Sequence, residues 1–196
     1  MALEAIILAG GRGERLRPLT DDRPKCLVEI GGKPMLEHQL KWLKANGITS
    51  VTLAAGYLWE VIEQRYGGGF DGIKLKYSIE TATLGRGGAI KKAFPQTKGD
   101  PVVVMNGDVF VDLWLDLVLA CHKRWGALAT VVTTPLVSPY GIVESENNIV
   151  TSFHEKPTLP HQINAGIYVM SRNILPLLPD QGDHEETTFP ILAEQK

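Results

Sequence analysis

The chain has 196 residues, 44% hydrophobic and 21% charged, a balance that excludes intrinsic disorder and allows one sizeable buried core. A formal net charge of −2 excludes bulk attraction to nucleic acid or to an anionic membrane, so clustered cations must act locally. Two cysteines, Cys26 and Cys121, exclude a disulfide framework and a cysteine-rich metal site. No apolar run approaches the roughly 18 residues of a membrane span. The first residues also lack the basic segment and long apolar region of a signal peptide, so a cytoplasmic location is expected.

Apolar and amphipathic segments alternate, which predicts an α/β protein: a mostly parallel central sheet with helices on both faces. Residues 5–9 read as a buried strand that breaks into Gly10-Gly11-Arg12-Gly13 and then a cation cluster, Arg15, Arg17, Arg23 and Lys25. Glycines at a strand end expose several backbone N–H groups and let a phosphate approach the main chain. The reading is an anion site for a group with several phosphates; the plainer alternative is a tight turn beside solvated cations. Residues 27–30 read as a short strand and Gly31-Gly32 as a turn. Pro34 then reads as the first residue of a helix reaching Asn46, with Leu36, Leu40 and Leu43 at helical spacing and Gly47 as the stop. A strand at 51–55, a helix at 58–66 closed by Gly67-Gly68-Gly69, and a strand at 73–79 with one exposed face follow. Residues 89–94 are helical, 101–105 form a buried central strand, and Asp112 is placed to cap a helix running to Arg124.

Beyond residue 126 the rhythm changes. Strands at 127–134, 141–144, 149–154 and 163–170 are separated only by turns, which predicts a small, partly antiparallel section carried on the α/β half. Short helices at 173–178 and 188–195 complete the chain. Residues 1–196 read as a single domain, with one half to about 125 and another from about 126.

Two common phosphate motifs do not fit the glycine loop. A P-loop needs Gly-Lys-Ser/Thr, and Gly13 is followed by Glu14-Arg15. A dinucleotide fingerprint needs glycine or alanine where Leu16 stands. The whole run does fit something else: Leu8-Ala9-Gly10-Gly11-x-Gly13-x-Arg15-Leu16-x-Pro18-Leu19-Thr20, then Pro24-Lys25, then Gly32-Lys33-Pro34-Met35-Leu36. It resembles the signature of sugar-1-phosphate nucleotidyltransferases, or NDP-sugar pyrophosphorylases. Asn106-Gly107-Asp108, Tyr140-Gly141-Ile142-Val143-Glu144, Glu155-Lys156-Pro157 and Asn164-Ala165-Gly166-Ile167-Tyr168 match further motifs of that family in order. The resemblance runs from about residue 4 to 193.

The resemblance implies a Rossmann-like fold of the nucleotide-diphospho-sugar transferase type, with a nucleotide-binding first half and a sugar-binding second half. It implies an enzyme of nucleotide-sugar and polysaccharide biosynthesis that joins a nucleoside triphosphate and a sugar 1-phosphate, with Mg²⁺, and releases pyrophosphate. A phosphate monoester has its second pKa near ~6, so this nucleophile is ionised at neutral pH and needs no general base. Catalysis then rests on positioning and cations. By resemblance Arg15 holds the departing phosphates, Lys25 bridges the attacking and α-phosphates, and Lys156 holds the sugar phosphate. Gly10 and Gly11 offer main-chain amides, and Leu8, Gly13, Gly85, Asn106 and Gly107 complete the nucleotide side. Tyr140, Gly141, Glu155 and Asn164 belong to the sugar side, with Glu155 accepting from sugar hydroxyls. Asp108 follows an apolar strand, where ligands of open α/β sheets bind, and a lone carboxylate there suits Mg²⁺.

The segment 77–90 looks most like that of bacterial heptose-1-phosphate guanylyltransferases and their mannose-1-phosphate relatives. Glu80 offers a carboxylate to guanine N1–H and N2–H₂ together, which favours GTP. Uridylyltransferases of the muramate type carry a Glu in the same region, so uridylyl or thymidylyl transfer is the alternative. Arg86 stands where those loops have Thr. Family members carry a later Trp-x-Asp-x-Gly segment whose Asp completes the metal site opposite Asp108, and residues 1–196 do not contain it. Asp180 and Asp183 are substitutes in principle, but their Pro/Gly/Asp-rich surroundings read as a surface turn. The alternative of another class is an inactive, regulatory nucleotide-sugar-binding module. Self-association into a homo-oligomer is left open.

Overall fold

Ala5, Ile6 and Ile7 are fully buried, and their strand, β1 (Glu4–Ala9), has a parallel neighbour on each edge. A strand covered on both faces must be apolar throughout, which is why it reads as one continuous run. Around it the computed structural model describes residues 3–195; Met1, Ala2 and Lys196 of the expected domain range lie outside the described residues. In chain order follow β2 (Glu29–Ile30), β3 (Lys33–Pro34), α1 (Met35–Ala45), β4 (Ser50–Ala55), α2 (Trp59–Tyr66), β5 (Gly69–Phe70) and β6 (Ile73–Ile79). Then come α3 (Gly85–Ala93), β7 (Val102–Asn106), α4 (Leu115–Trp125), β8 (Ala129–Val137), β9 (Ile142–Glu146), β10 (Ile149–His154), β11 (Thr158–Met170) and α5 (Thr188–Gln195).

Seven strands form the central sheet in the order β5-β6-β4-β1-β7-β11-β8. Strands β6, β4, β1 and β7 are mutually parallel, and β11 enters antiparallel to both β7 and β8. Alternate residues of each strand feed opposite faces. Ile7, Leu53 and Met105 pack with Leu36, Leu40 and Leu43 of α1 and Ile62 of α2. Ile6 and Val104 pack on the other face with Ile90 and Phe94 at the α3 end and with Tyr168 and Ile174. Each fully buried leucine of α1 contributes about 1.5–3 kcal/mol by leaving water.

Several local expectations are corrected. The section beyond 126 is partly antiparallel as expected, but it is not simply added to the α/β half: β8 and β11 are strands of the central sheet itself, and only the β9–β10 hairpin stands apart. Asp112 does not cap α4. That helix starts at Leu115, whose N–H donates to Asn46 Oδ1 at 3.2 Å, so the cap comes from the end of α1. Residues 25–27 form one 3₁₀ turn, which leaves only Glu29–Ile30 extended. Pro34 is the residue before α1 rather than its first. Residues 172–177 are 3₁₀, not α, because Pro176 lacks the amide a longer helix needs. Helix α3 begins at Gly85, four residues earlier than its apolar pattern predicts.

Candidate active site

The chain leaves β1 for β4 on one side and later crosses to β7 on the other. Loops after β1 and β7 therefore part in opposite directions and leave a crevice at the carboxyl ends of the strands. Gly10 after β1, Gly56 after β4, Glu80 after β6, and Gly107 and Asp108 after β7 all line this one cleft of about 860 Å³.

The loop after β1 is folded back on itself. Gly13 has a left-handed φ of 62°, and a Cβ there would stand 3.0 Å from Thr20 Cγ2 and 3.1 Å from Lys25 Cβ, so only glycine fits. Its carbonyl accepts from Thr20 Oγ1 at 3.0 Å and from the Leu16 N–H at 2.8 Å. Arg15 lies in the one-turn helix Glu14–Leu16 and lines the cleft wall. The Gly107 N–H donates to the Leu8 carbonyl at 2.9 Å, and a Cβ on Gly107 would come within 2.4 Å of that oxygen. Gly11 differs: a Cβ there meets nothing within 4 Å, so its open face is available to a ligand.

Lys25 Nζ donates to Asp108 Oδ2, joining the loops after β1 and β7 by an ion pair. Both side chains are partly exposed, so the pair contributes little stability and is open to exchange. Asp108 Oδ1 takes no protein hydrogen bond among the described residues. A hard oxygen donor facing an anion-binding cleft fits a divalent ion that completes its shell with phosphate oxygens and water. Among the described residues no cluster of three or more His, Cys, Asp or Glu side chains is placed to hold a metal unaided.

In the same cleft, Glu80 Oε2 accepts from the Leu84 N–H at 3.1 Å, while Oε1 lies 3.0 Å from where a Cβ on Gly10 would stand. Gly85 has a left-handed φ of 73°. Arg86 also lines the cleft, but its guanidinium is turned to protein: Nε donates to Asp183 Oδ2 at 2.6 Å and Nη1 to Glu185 Oε1 at 2.7 Å. Burial would lower its pKa, and the two carboxylates outweigh that and raise it. Asp183 is therefore engaged with Arg86, whereas Asp180 is the exposed surface residue, paired with Lys91.

The sugar-side residues lie elsewhere. Tyr140, Gly141, Glu155 and Lys156 gather at the base of the β9–β10 hairpin and do not line the cleft. A Cβ on Gly141 would stand 2.9 Å from Glu155 Oε2, and Lys156 has a φ of 45°. Asn164, on β11, has its amide engaged by protein: Nδ2 donates to Tyr168 Oη at 2.8 Å and to Glu185 Oε1 at 2.9 Å, and Oδ1 accepts from Gly166 N–H at 2.8 Å. Two residues absent from the sequence reading belong to the site's frame. Tyr57 lines the cleft under Arg12, 5.9 Å from ring centroid to guanidinium, and Glu185 holds Arg86. Tyr57 was findable, because it follows a strand end as Gly10 and Asp108 do.

The sequence model of the family described as Nucleotidyl transferase matches residues 4–190. A mannose-1-phosphate guanyltransferase of Candida albicans is 37% identical over 211 residues, covering 99% of this chain and 57% of that protein. A D-glycero-α-D-manno-heptose 1-phosphate guanylyltransferase of Aneurinibacillus thermoaerophilus is 38% identical over 175 residues, 88% of this chain and 76% of the relative. The solved structure of HddC from Yersinia pseudotuberculosis complexed with GMP-PN superposes with a TM-score of 0.75 at 27% identity, covering 97% of this chain and 86% of that one. With a glycine-walled cleft at the switch point of its sheet, the chain belongs to the nucleotidyl transferase family and has the nucleotide-diphospho-sugar transferase fold. It spans 57% of the length of the fungal relative.

Proposed function

We propose that the protein transfers a guanylyl group from GTP to a sugar 1-phosphate of the mannose or heptose type, giving a GDP-sugar and pyrophosphate, in the cytoplasm. The observation that carries this reading is the meeting of Lys25 and Asp108 in the same cleft that Glu80 lines. Cation, hard carboxylate and base-reading carboxylate then line one cleft.

An oxygen of the sugar phosphate attacks the α-phosphorus. The bond from that phosphorus to the oxygen bridging the α and β positions breaks, and its electron pair leaves with pyrophosphate. The barrier is the approach of two anions, which is lowered by fixed cations and by orientation. Lys25 leaves Asp108 to sit between the attacking and α-phosphates, Arg15 holds the leaving pyrophosphate, and Lys156 holds the sugar phosphate. A Mg²⁺ ion on Asp108 would supply neutralisation of the phosphate oxygens. Gly10 and Gly11 give the triphosphate close access to main chain. Lys156 and Glu155 begin outside the cleft, so the hairpin base has to approach as the sugar phosphate binds. The two halves of a single domain, meeting near residue 125, each take one substrate.

Glu80 supports guanine. Its two oxygens can accept from N1–H and N2–H₂ together, and the Leu84 amide on Oε2 fixes the carboxylate plane without exhausting its lone pairs. The names of the relatives and the GMP-PN of the HddC structure support the same base.

The test is Mg²⁺-dependent pyrophosphate release over four nucleoside triphosphates crossed with mannose, heptose, glucose and amino-sugar 1-phosphates. Release with GTP and a mannose-type sugar is expected. Release only with UTP or dTTP would overturn the base, and no release with retained GDP-sugar binding would leave a binding module.

A further inference from the structure

Three glycines of α3 allow an approach that no side chain permits. A Cβ at Gly85 would stand 2.5 Å from the Gly182 carbonyl oxygen, at Gly87 2.7 Å from Pro179 Cγ, and at Gly88 2.5 Å from the Asp180 carbonyl oxygen. The segment 179–185 thus lies against the first turn of α3, backbone to backbone. The Gly182 N–H donates to the Leu84 carbonyl at 2.8 Å, and the Gly87 N–H donates to the Gly182 carbonyl at 2.9 Å. A helix N-terminus ordinarily receives anions on such amides. Here protein takes that place.

From this seam a chain of polar contacts crosses to the sugar-side strand. Glu185 Oε1 accepts from Arg86 Nη1 at 2.7 Å, from Tyr168 Oη at 2.6 Å and from Asn164 Nδ2 at 2.9 Å. One carboxylate oxygen gathers a donor from the nucleotide cleft and two from β11. Charge assistance makes such bonds short and strong. Arg86 carries one positive charge against the two negative charges of Asp183 and Glu185, so it is neutralised and is not offered to a phosphate.

We propose that Glu185 is a positioning residue for both substrates: by holding Arg86 and Asn164 on one oxygen, it fixes the base-reading loop 80–88 and strand β11 in a single geometry. Nucleotide and sugar sites are then set together, and a change at either end of the strut is felt at the other. The inference takes its substrates from the proposed function.

The experiment is steady-state kinetics with GTP and mannose 1-phosphate, joined to calorimetric binding of a non-hydrolysable GTP analogue, on Arg86→Met, Glu185→Ala and Glu185→Gln. Arg86→Met removes the strut's end at the nucleotide wall and no group on β11, yet it is expected to raise KM for the sugar phosphate about tenfold with kcat changed less than about threefold. Glu185→Ala is expected to raise both KM values, and Glu185→Gln, which keeps an acceptor oxygen but loses the charge assistance, to raise them less than Glu185→Ala does. An Arg86→Met enzyme with wild-type sugar KM would overturn the proposal. If that variant does not fold, Tyr168→Phe takes its place at the other end of the strut. It is expected to weaken the GTP analogue about threefold, and unchanged affinity there also overturns the proposal. Wild-type protein that binds no triphosphate analogue sinks the guanylyl reading itself, a separate failure from a strut that transmits nothing.

Discussion

Lys25 rests its ammonium on the Oδ2 of Asp108, 83 residues further along the chain. The contact bridges the two loops that diverge at the centre of the sheet, and each partner is the other's nearest opposite charge. In the proposed reaction, metal and Lys25 therefore compete for one carboxylate.

Replacing Asp108 with Asn separates these roles. Turnover is expected to fall by about 10²–10³ in single-turnover assays, the range for loss of a transition-state electrostatic group. Lys25 is then unneutralised beside Arg12 and Arg15, so binding of a triphosphate analogue without metal should tighten. Weaker metal-free binding would show that Asp108 does not hold Lys25 back. Circular dichroism should be unchanged, because the side chain is only partly buried and its ion pair contributes little stability.

Gly11→Ala is a test of the main-chain phosphate contact. The added methyl meets no protein atom within 4 Å, and the position has no positive φ, so the melting temperature should move by less than about 2 °C. Nucleotide affinity should drop at least about tenfold, because the methyl occupies the open face. Gly107→Ala is the contrast: its Cβ would press on the Leu8 carbonyl, and it is expected to melt early. Wild-type nucleotide affinity in Gly11→Ala would place the phosphates elsewhere.

Glu4 links stability to acid. Burial alone would raise its pKa, but hydrogen bonds from Lys76 Nζ and the Lys98 and Gly99 amides outweigh this and bring it to about 2. A depressed carboxylate contributes stability that is complete above its unfolded pKa, about 4.5, and lost as pH falls towards 2. Glu4→Gln should therefore cost about 2 kcal/mol at pH 7, after allowance for solvent screening at the sheet end. The variant should also flatten the acid limb of denaturant titrations between those pH values. Parallel acid limbs for wild type and variant would remove the assignment.

The two thiols should differ in reactivity. Burial pushes Cys26 up to about 12, whereas Cys121 is exposed on α4. Iodoacetamide at pH 8 should label one thiol in the native protein and two in guanidinium, read by intact mass. Native labelling of Cys26 would mean that the core under the loop opens readily.

What the sequence makes legible follows from where its constraints are local. Leu40 sits in a run whose helical spacing states both element and face, and Ile6 and Val104 sit in continuous apolar runs that state a strand covered on both faces. Gly10, Glu80 and Asp108 are found in motifs that follow strands and resemble a known family. The start of α3 is not legible: three glycines in nine residues argue against a helix, at about 1 kcal/mol each. Their reason is the approach of residues 179–185, almost a hundred positions away. The same distance hides Arg86's partners, since a carboxylate run reads as solvated surface until 97 residues of chain bring Asp183 to it. Alternation reveals β11 as a strand, but not that it inserts between β7 and β8. Asp112 has the right chemistry for a cap, yet Asn46 supplies it through tertiary packing.

The docking of residues 179–185 onto α3 also dictates an order of assembly on the ribosome. Strands β1, β4, β6 and β7 are all available once residue 106 has emerged, and they pair by contacts among themselves. A nine-residue helix that opens Gly-Arg-Gly-Gly has too little intrinsic stability to persist without its partner. At about 5–20 residues per second, several seconds of synthesis separate these four strands from the segment that secures loop 80–88. The nascent chain thus has its sheet before it has this wall of the cleft, which is secured only once residue 185 has emerged.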